Sequence, residues 1–155
     1  MQANGQRIRA IDLVPAKRRV YVQDDAGFRR LFETLGEGGP AKAPRQEAAA
    51  EFAARSVTRF KRDFPILAGC SWPAFRREWR LLESWRLLAE PFVAPKDARL
   101  AVGIRSRGHF NEGFHRRFGI FPSEVPEAAT PPPPGRRRVR KTRRVTASGP
   151  NGNVF

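Results

Sequence analysis

A pattern of serine, phenylalanine and glycine occurs twice in this chain at a fixed offset of 50 residues. The first copy runs Ser56, Phe60, Phe64, Gly69, Phe75, and the second Ser106, Phe110, Phe114, Gly119, Val125. Upstream of each serine the copies align without a gap, pairing Glu47 with Asp97, Ala48 with Ala98, Phe52 with Val102 and Arg55 with Arg105. Phenylalanines at i and i+4 lie on one face of a helix. A serine ahead of such a stripe caps the helix through its hydroxyl, and a glycine behind it ends the helix in the left-handed conformation. The pattern therefore predicts, twice over, a short helix, a brief turn and a second helix with a buried Phe face. Two copies are too few to stack as a solenoid.

The second copy gives the detail. Pro95 suits a first helical turn and Asp97 places negative charge near the positive end of the helix dipole. This helix should end near Val102 and Gly103, with Ile104 plugging the turn before Ser106. Phe110, Phe114 and Phe118 then form the stripe. At about 100° per residue, Gly108, Glu112 and His115 face away from it, flanked by Arg107 and Asn111. The same count from Phe60 turns Thr58 and Arg62 outward, flanked by Arg59 and Lys61. Between the copies Ala74 to Glu90 reads as one long helix, with Phe75, Trp79, Leu82 and Leu88 apolar and Arg76, Arg77 and Arg80 charged.

The flanks read differently. Residues 1–23 show little periodicity and are expected to form a loose arm, followed by a short helix from Asp25 or Gly27 to Leu35 with Phe28, Leu31, Phe32 and Leu35 on one face. Glycines and Pro40 break that helix before an AKAPR linker. From Pro126 the prolines forbid a helix, and Arg136 to Arg144 holds seven basic residues in nine. Residues 126–155 are expected to be a disordered basic tail. The predicted organisation is an N-terminal arm and short helix over 1–45, a double helix-turn-helix over 46–125 and this tail. No stretch alternates with period two, so the fold class is all-α.

The chain carries 30 Lys+Arg against 15 Asp+Glu, a net charge of +15. Such a balance fits a polyanionic partner. No apolar run approaches the roughly 18 residues of a membrane span, and the N-terminus lacks a signal-peptide core. One cysteine, Cys70, excludes an internal disulfide, and the setting is expected to be cytoplasmic. A Phe stripe alone marks only a core. Its repetition at one spacing in so basic a chain points to double-stranded DNA.

At this point the residues resemble a known family. GIRSRGHFNEGFHRRFGIFPSEV (Gly103 to Val125) is similar to the second helix-turn-helix signature of AraC/XylS-type transcriptional regulators. SVTRFKRDFPILAGCSWPAF (Ser56 to Phe75) resembles the end of their first, and WRLLESWRLLAE (Trp79 to Glu90) their linker helix. The resemblance covers about residues 46–125. It implies two helix-turn-helix units on one long helix, entering adjacent major grooves on one DNA face, and activation through contact with RNA polymerase. The base-reading positions it implies fall on Thr58, Lys61 and Arg62, and on Arg107, Gly108, Asn111 and Glu112. Arg55, Arg105, Arg116 and Arg117 are the expected phosphate contacts. Both units lie on one polypeptide, so the chain is expected to act as a monomer.

Several residues depart from the family pattern. Pro65 stands inside the first recognition helix, where it removes a backbone bond at a cost of ~3 kcal/mol or forces an early end. Gly108 and Gly113 replace better helix formers at roughly 1 kcal/mol each. Glu112 occupies a commonly basic position and would repel phosphate unless it accepts from a cytosine amine. Trp72 and Val125-Pro126 replace other residues, and residues 1–45 are too short for the sensor domain of most members.

Catalytic chemistry finds no support. His109, Glu112 and His115 drift about 60° around the helix per step and do not converge on one ion, so no metal is expected. GEGGP lacks the lysine and following helix of a phosphate loop. No enzyme activity and no cofactor are expected. The competing readings are a nonspecific nucleic-acid-binding basic protein and a truncated remnant of a larger regulator.

Overall fold

The computed structural model describes residues 6–135; the basic run Arg136 to Arg144 and the rest of the expected tail lie outside them. Every regular element among the described residues is helical: α1 (Arg19–Asp24), α2 (Ala26–Gly38), α3 (Gln46–Phe52), α4 (Val57–Ala68), α5 (Trp72–Leu88), α6 (Pro95–Ala101) and α7 (Arg107–Phe118), with short 3-10 turns between them. The chain is all-α, as its periodicity predicts.

Two hydrophobic cores share α5. Its first half, with Leu82 beyond it, sends Trp72, Phe75, Trp79 and Leu82 into a cluster with Phe28, Leu31, Phe60 and Phe64. Its second half sends Leu81, Trp85 and Leu88 into another with Ala98, Phe110 and Phe114. Phe118 packs against both. The first core is an aromatic lattice. Phe64 meets Trp72 and Phe75 edge-on at 5.3 and 5.2 Å between ring centroids, geometry that favours contact of ring edge with ring face. Serine starts α5 as well as the two Phe helices: Ser71 Oγ accepts from Ala74 N at 3.4 Å. Proline follows at the second helical position, where no intrahelical donor is lost.

The N-terminal segment is not a loose arm. Ala10, Leu13 and Val14 are buried in the first core, with Ile8 and Ile11 packed against it. Trp79 Nε1 donates to the Ile8 carbonyl at 2.7 Å, and Ile8 N donates to Glu83 Oε1 at 3.0 Å. Glu83 is itself buried and paired with Arg86 at 2.7 Å. A segment with weak periodicity is ordered because its few apolar residues fill the gap beside α5, and its backbone satisfies an indole and a carboxylate. α2 runs as predicted. Asp25 caps it by accepting from Phe28 N at 3.0 Å. Gly27 lets it approach the end of α3, for a Cβ there would stand 2.1 Å from the Ala53 carbonyl oxygen.

The AKAPR linker is clipped to α5 by two arginines. Arg76 Nε donates to the Ala43 carbonyl and Arg80 Nε to that of Pro40, at 3.0 and 3.1 Å. Burial pushes both guanidiniums below their usual pKa. These arginines hold the fold together.

The repeat needs one gap. α4 and α7 are 50 residues apart at both ends, but α3 and α6 are offset by 49, Gln46 matching Pro95 and Phe52 matching Ala101. The helix ends agree with that register. Arg55 N donates to the Ala50 carbonyl at 2.9 Å, and Ile104 N to that of Arg99 at 3.0 Å. Ala54 and Gly103 are the matching left-handed residues, at φ 56° and 85°. The gapless pairing of Arg55 with Arg105 is thus corrected: Arg55 corresponds to Ile104, and Arg105 is the extra residue of the second turn. Apolar identity is too degenerate across these short helices to expose a one-residue shift.

Candidate nucleic-acid interface

α4 and α7 are built alike. Each has 12 residues and ends on a left-handed glycine, Gly69 at φ 83° and Gly119 at φ 80°. Ser56 Oγ accepts from Arg59 N at 3.2 Å, and Ser106 Oγ from His109 N at 3.1 Å. Phe60 and Phe64 bury one face of α4, and Phe110 and Phe114 one face of α7. Pro65 does not end α4, which runs three residues past it. The missing donor removes the helical bond to the carbonyl of Lys61, an exposed residue. Gly108 and Gly113 likewise sit inside an unbroken α7.

Because the Phe faces are buried, the opposite faces are open. Thr58, Lys61 and Arg62 are exposed on α4; Arg107, Gly108 and Glu112 are exposed on α7, and Asn111 is partly covered. His115 is exposed but stacked on Phe121, with ring centroids 4.4 Å apart. Arg62 shares its guanidinium with Asp63 at 2.9 Å while its side chain stays 65% exposed. Sequence reasoning missed Ile66, an apolar residue 68% exposed on the outward side of α4. The outward count on that helix would have found it.

Two of the four expected phosphate contacts are placed otherwise. The Arg55 side chain is only 12% exposed, bonded to Asp25 at 2.8 Å and Asp63 at 2.9 Å. Its guanidinium also lies 4.1 Å from the centroid of the Phe28 ring. It ties the cap of α2 to α4. This contact holds the Asp25 carboxyl down at about 2 and lowers Asp63 as well, the hydrogen bonds from Arg55 being the largest cause in each case. Arg117 donates to Glu78 through Nε and Nη2, both at 2.8 Å, and Nη2 also reaches the Pro133 carbonyl at 2.9 Å. Both arginines are occupied by carboxylates in this structure, each through charge-assisted hydrogen bonds. Arg105 and Arg116 are exposed.

The segment after Val125 extends the second unit. Trp85 Nε1 donates to the Ala129 carbonyl at 3.2 Å, and Ala128 N to that of Ala89 at 2.7 Å. Gly135 N donates to Glu78 Oε2 at 2.8 Å. Residues 126–135 are therefore docked, against the expectation that they belong to a disordered tail. Proline excludes a helix there but leaves carbonyls available as acceptors, and the indole and guanidinium use them. Among the described residues no group of three His, Cys, Asp or Glu could hold a metal ion, and no helix is long and apolar enough to cross a membrane.

No curated protein and no solved structure is significantly similar to the chain. A family model described as a helix-turn-helix domain, of the AraC type, matches residues 49–128, just over half of the 155 residues. That span takes in α4, α5, α6 and α7 together with the docked turn after Val125. The chain therefore belongs to the AraC-type helix-turn-helix family of DNA-binding transcription regulators.

Proposed function

We propose that the chain binds duplex DNA sequence-specifically by inserting α4 and α7 into adjacent major grooves on one face. The carrying observation is the identical construction of the two helices: same length, same serine cap, same glycine stop, and a polar face left open by buried phenylalanines. Thr58, Lys61 and Arg62 read one groove; Arg107, Gly108, Asn111 and Glu112 read the other. Ile66 adds an apolar surface suited to a thymine methyl, and Glu112 an acceptor for a cytosine amine. Gly108 lets the α7 backbone come close to the base edges. Arg105 and Arg116 bind phosphate. The chain acts as a monomer, both half-sites being met by one polypeptide, in the cytoplasm, and its regulatory partner is RNA polymerase.

Selection of bound sequences from a random duplex pool tests this reading. The expected result is an enriched motif of two blocks whose centres lie about one helical turn, ~10 bp, apart. A pool that gains affinity without any motif would mean that the net charge of +15 drives binding by itself.

A further inference from the structure

A basic groove of about 1030 Å³ lies between the two units, bounded by the C-terminal end of α4, one side of α5, the flank of α7 and residues 12–19 of the N-terminal segment. Six cationic side chains line it against two carboxylates, Asp12 and Glu78. Both carboxylates are already matched, Asp12 by Arg9 at 2.9 Å and Glu78 by Arg117 at 2.8 Å. Lys17, Arg77 and Arg116 come from three different elements, all are exposed, and their side chains engage no other described residue. The 3-10 turn carrying Lys17 is tied to α4, since Arg18 Nη1 donates to the Ile66 carbonyl near its end at 2.7 Å. Lys17 is thereby fixed relative to a recognition helix even though it lies outside the span that the family model matches.

We propose that this groove receives the sugar-phosphate backbone of the bound duplex where it passes between the two major grooves, with Lys17, Arg77 and Arg116 as its phosphate ligands. The inference rests on the docking of α4 and α7 proposed above. Helices in successive major grooves on one face leave one minor groove between them, bordered by a phosphate run from each strand. That stretch carries about one negative charge per 1.7 Å of axis, and the groove between the two units offers it Lys17, Arg77 and Arg116. The N-terminal segment thus does more than complete a core: it adds a wall of the DNA site.

The test uses the full chain and the variant Lys17→Ala/Arg77→Ala, both changes lying outside α4 and α7. At about 0.1 M salt each lost contact should lower affinity by up to roughly tenfold, and the slope of log K against log salt should flatten by up to ~0.9 per contact. The preferred sequence and the melting temperature should not change. Neutral methylphosphonates placed between the two sequence blocks should weaken the wild type more than the variant, which keeps only Arg116 of the three ligands. An unchanged salt slope, or equal sensitivity of wild type and variant to those methylphosphonates, overturns the groove assignment while two-block recognition stands. If instead the protein protects a single block, the docking reading fails by itself, and the variant's slope on random duplex still decides whether the groove holds phosphate.

Discussion

Arg55 Nη2 donates to Asp25 Oδ2 at 2.8 Å, joining the N-cap of α2 to the turn before α4 across 30 positions of sequence. The same guanidinium reaches Asp63 on α4 and covers the face of Phe28. Asp25 meanwhile caps α2 through Oδ1. One arginine thus sets the position of α4 against a helix that lies outside the family-matched span.

Arg55→Ala should therefore act on stability before it acts on DNA. Truncation leaves Asp25 and Asp63 without their main partner, and a loss of about 2–3 kcal/mol is expected. Urea unfolding measures it. If the variant keeps its stability and loses only affinity, Arg55 is a phosphate contact after all.

The same pair sets an acid limit. The Asp25 carboxyl titrates at about 2 in the folded chain against 3.8 ordinarily. A depressed folded pKa means the contribution is complete above the unfolded value and disappears as pH falls from 3.8 toward 2. Asp63 shifts in the same direction. Unfolding free energy should fall across that window in the wild type and fall less in Arg55→Ala. Parallel pH curves for the two proteins would remove Arg55 as the cause.

The register of the repeat gives a third outcome. Ala54 holds a left-handed backbone that its counterpart Gly103 adopts without strain. Ala54→Gly should stabilise the first unit by about 0.5–1 kcal/mol, since the steric penalty of the left-handed form is roughly 1–2 kcal/mol and glycine restores part of it as chain entropy. Gly103→Ala should destabilise by more than 1 kcal/mol, because its Cβ would also meet Ala41 Cα at 3.0 Å. Thermal melts of both variants check the pair, and a loss of stability in Ala54→Gly would contradict the register.

The Phe stripes, the serine caps and the glycine stops were legible because each is a local device with one physical meaning. Ser56, Ser106, Gly69 and Gly119 do what their residue types predict. The N-terminal segment was not legible. Ile8, Leu13 and Val14 have no common period, and their burial depends on Trp79 and Glu83 more than 60 residues away. For the candidate site, the open faces of α4 and α7 followed from counting, whereas the roles of Arg55 and Arg117 did not. A charge on a basic surface looks like a DNA contact until its carboxylate partner is seen, and Asp25 and Glu78 lie on distant elements.

Lys61→Ala and Asn111→Ala should each relax preference at a different block of the operator, by about 1–3 kcal/mol where the contact is direct. Lys61 is exposed on α4 and Asn111 partly covered on α7, so the two changes leave both cores intact. Binding to a panel of single-base operator variants reads the effect. A uniform loss across the panel would place these side chains on phosphate.

Two truncations separate the docked segment from the basic run. Ending the chain after Gly135 removes Arg136 to Arg144, seven cations in nine residues, and no described contact. Counterion release makes such charge add affinity without sequence information. Affinity for all duplexes should drop alike, and the salt slope should flatten by up to ~0.9 per lost phosphate contact, with the preferred sequence kept. Ending it after Val125 also removes the Ala129 carbonyl from Trp85 and the Pro133 carbonyl from Arg117. A buried indole left without its acceptor costs ~1–3 kcal/mol, so this shorter chain should melt earlier as well as bind more weakly. Equal melting temperatures for the two truncations would show that residues 126–135 do not support the second unit. An unchanged salt slope after the cut at Gly135 would mean that the arginine run makes no contact with DNA.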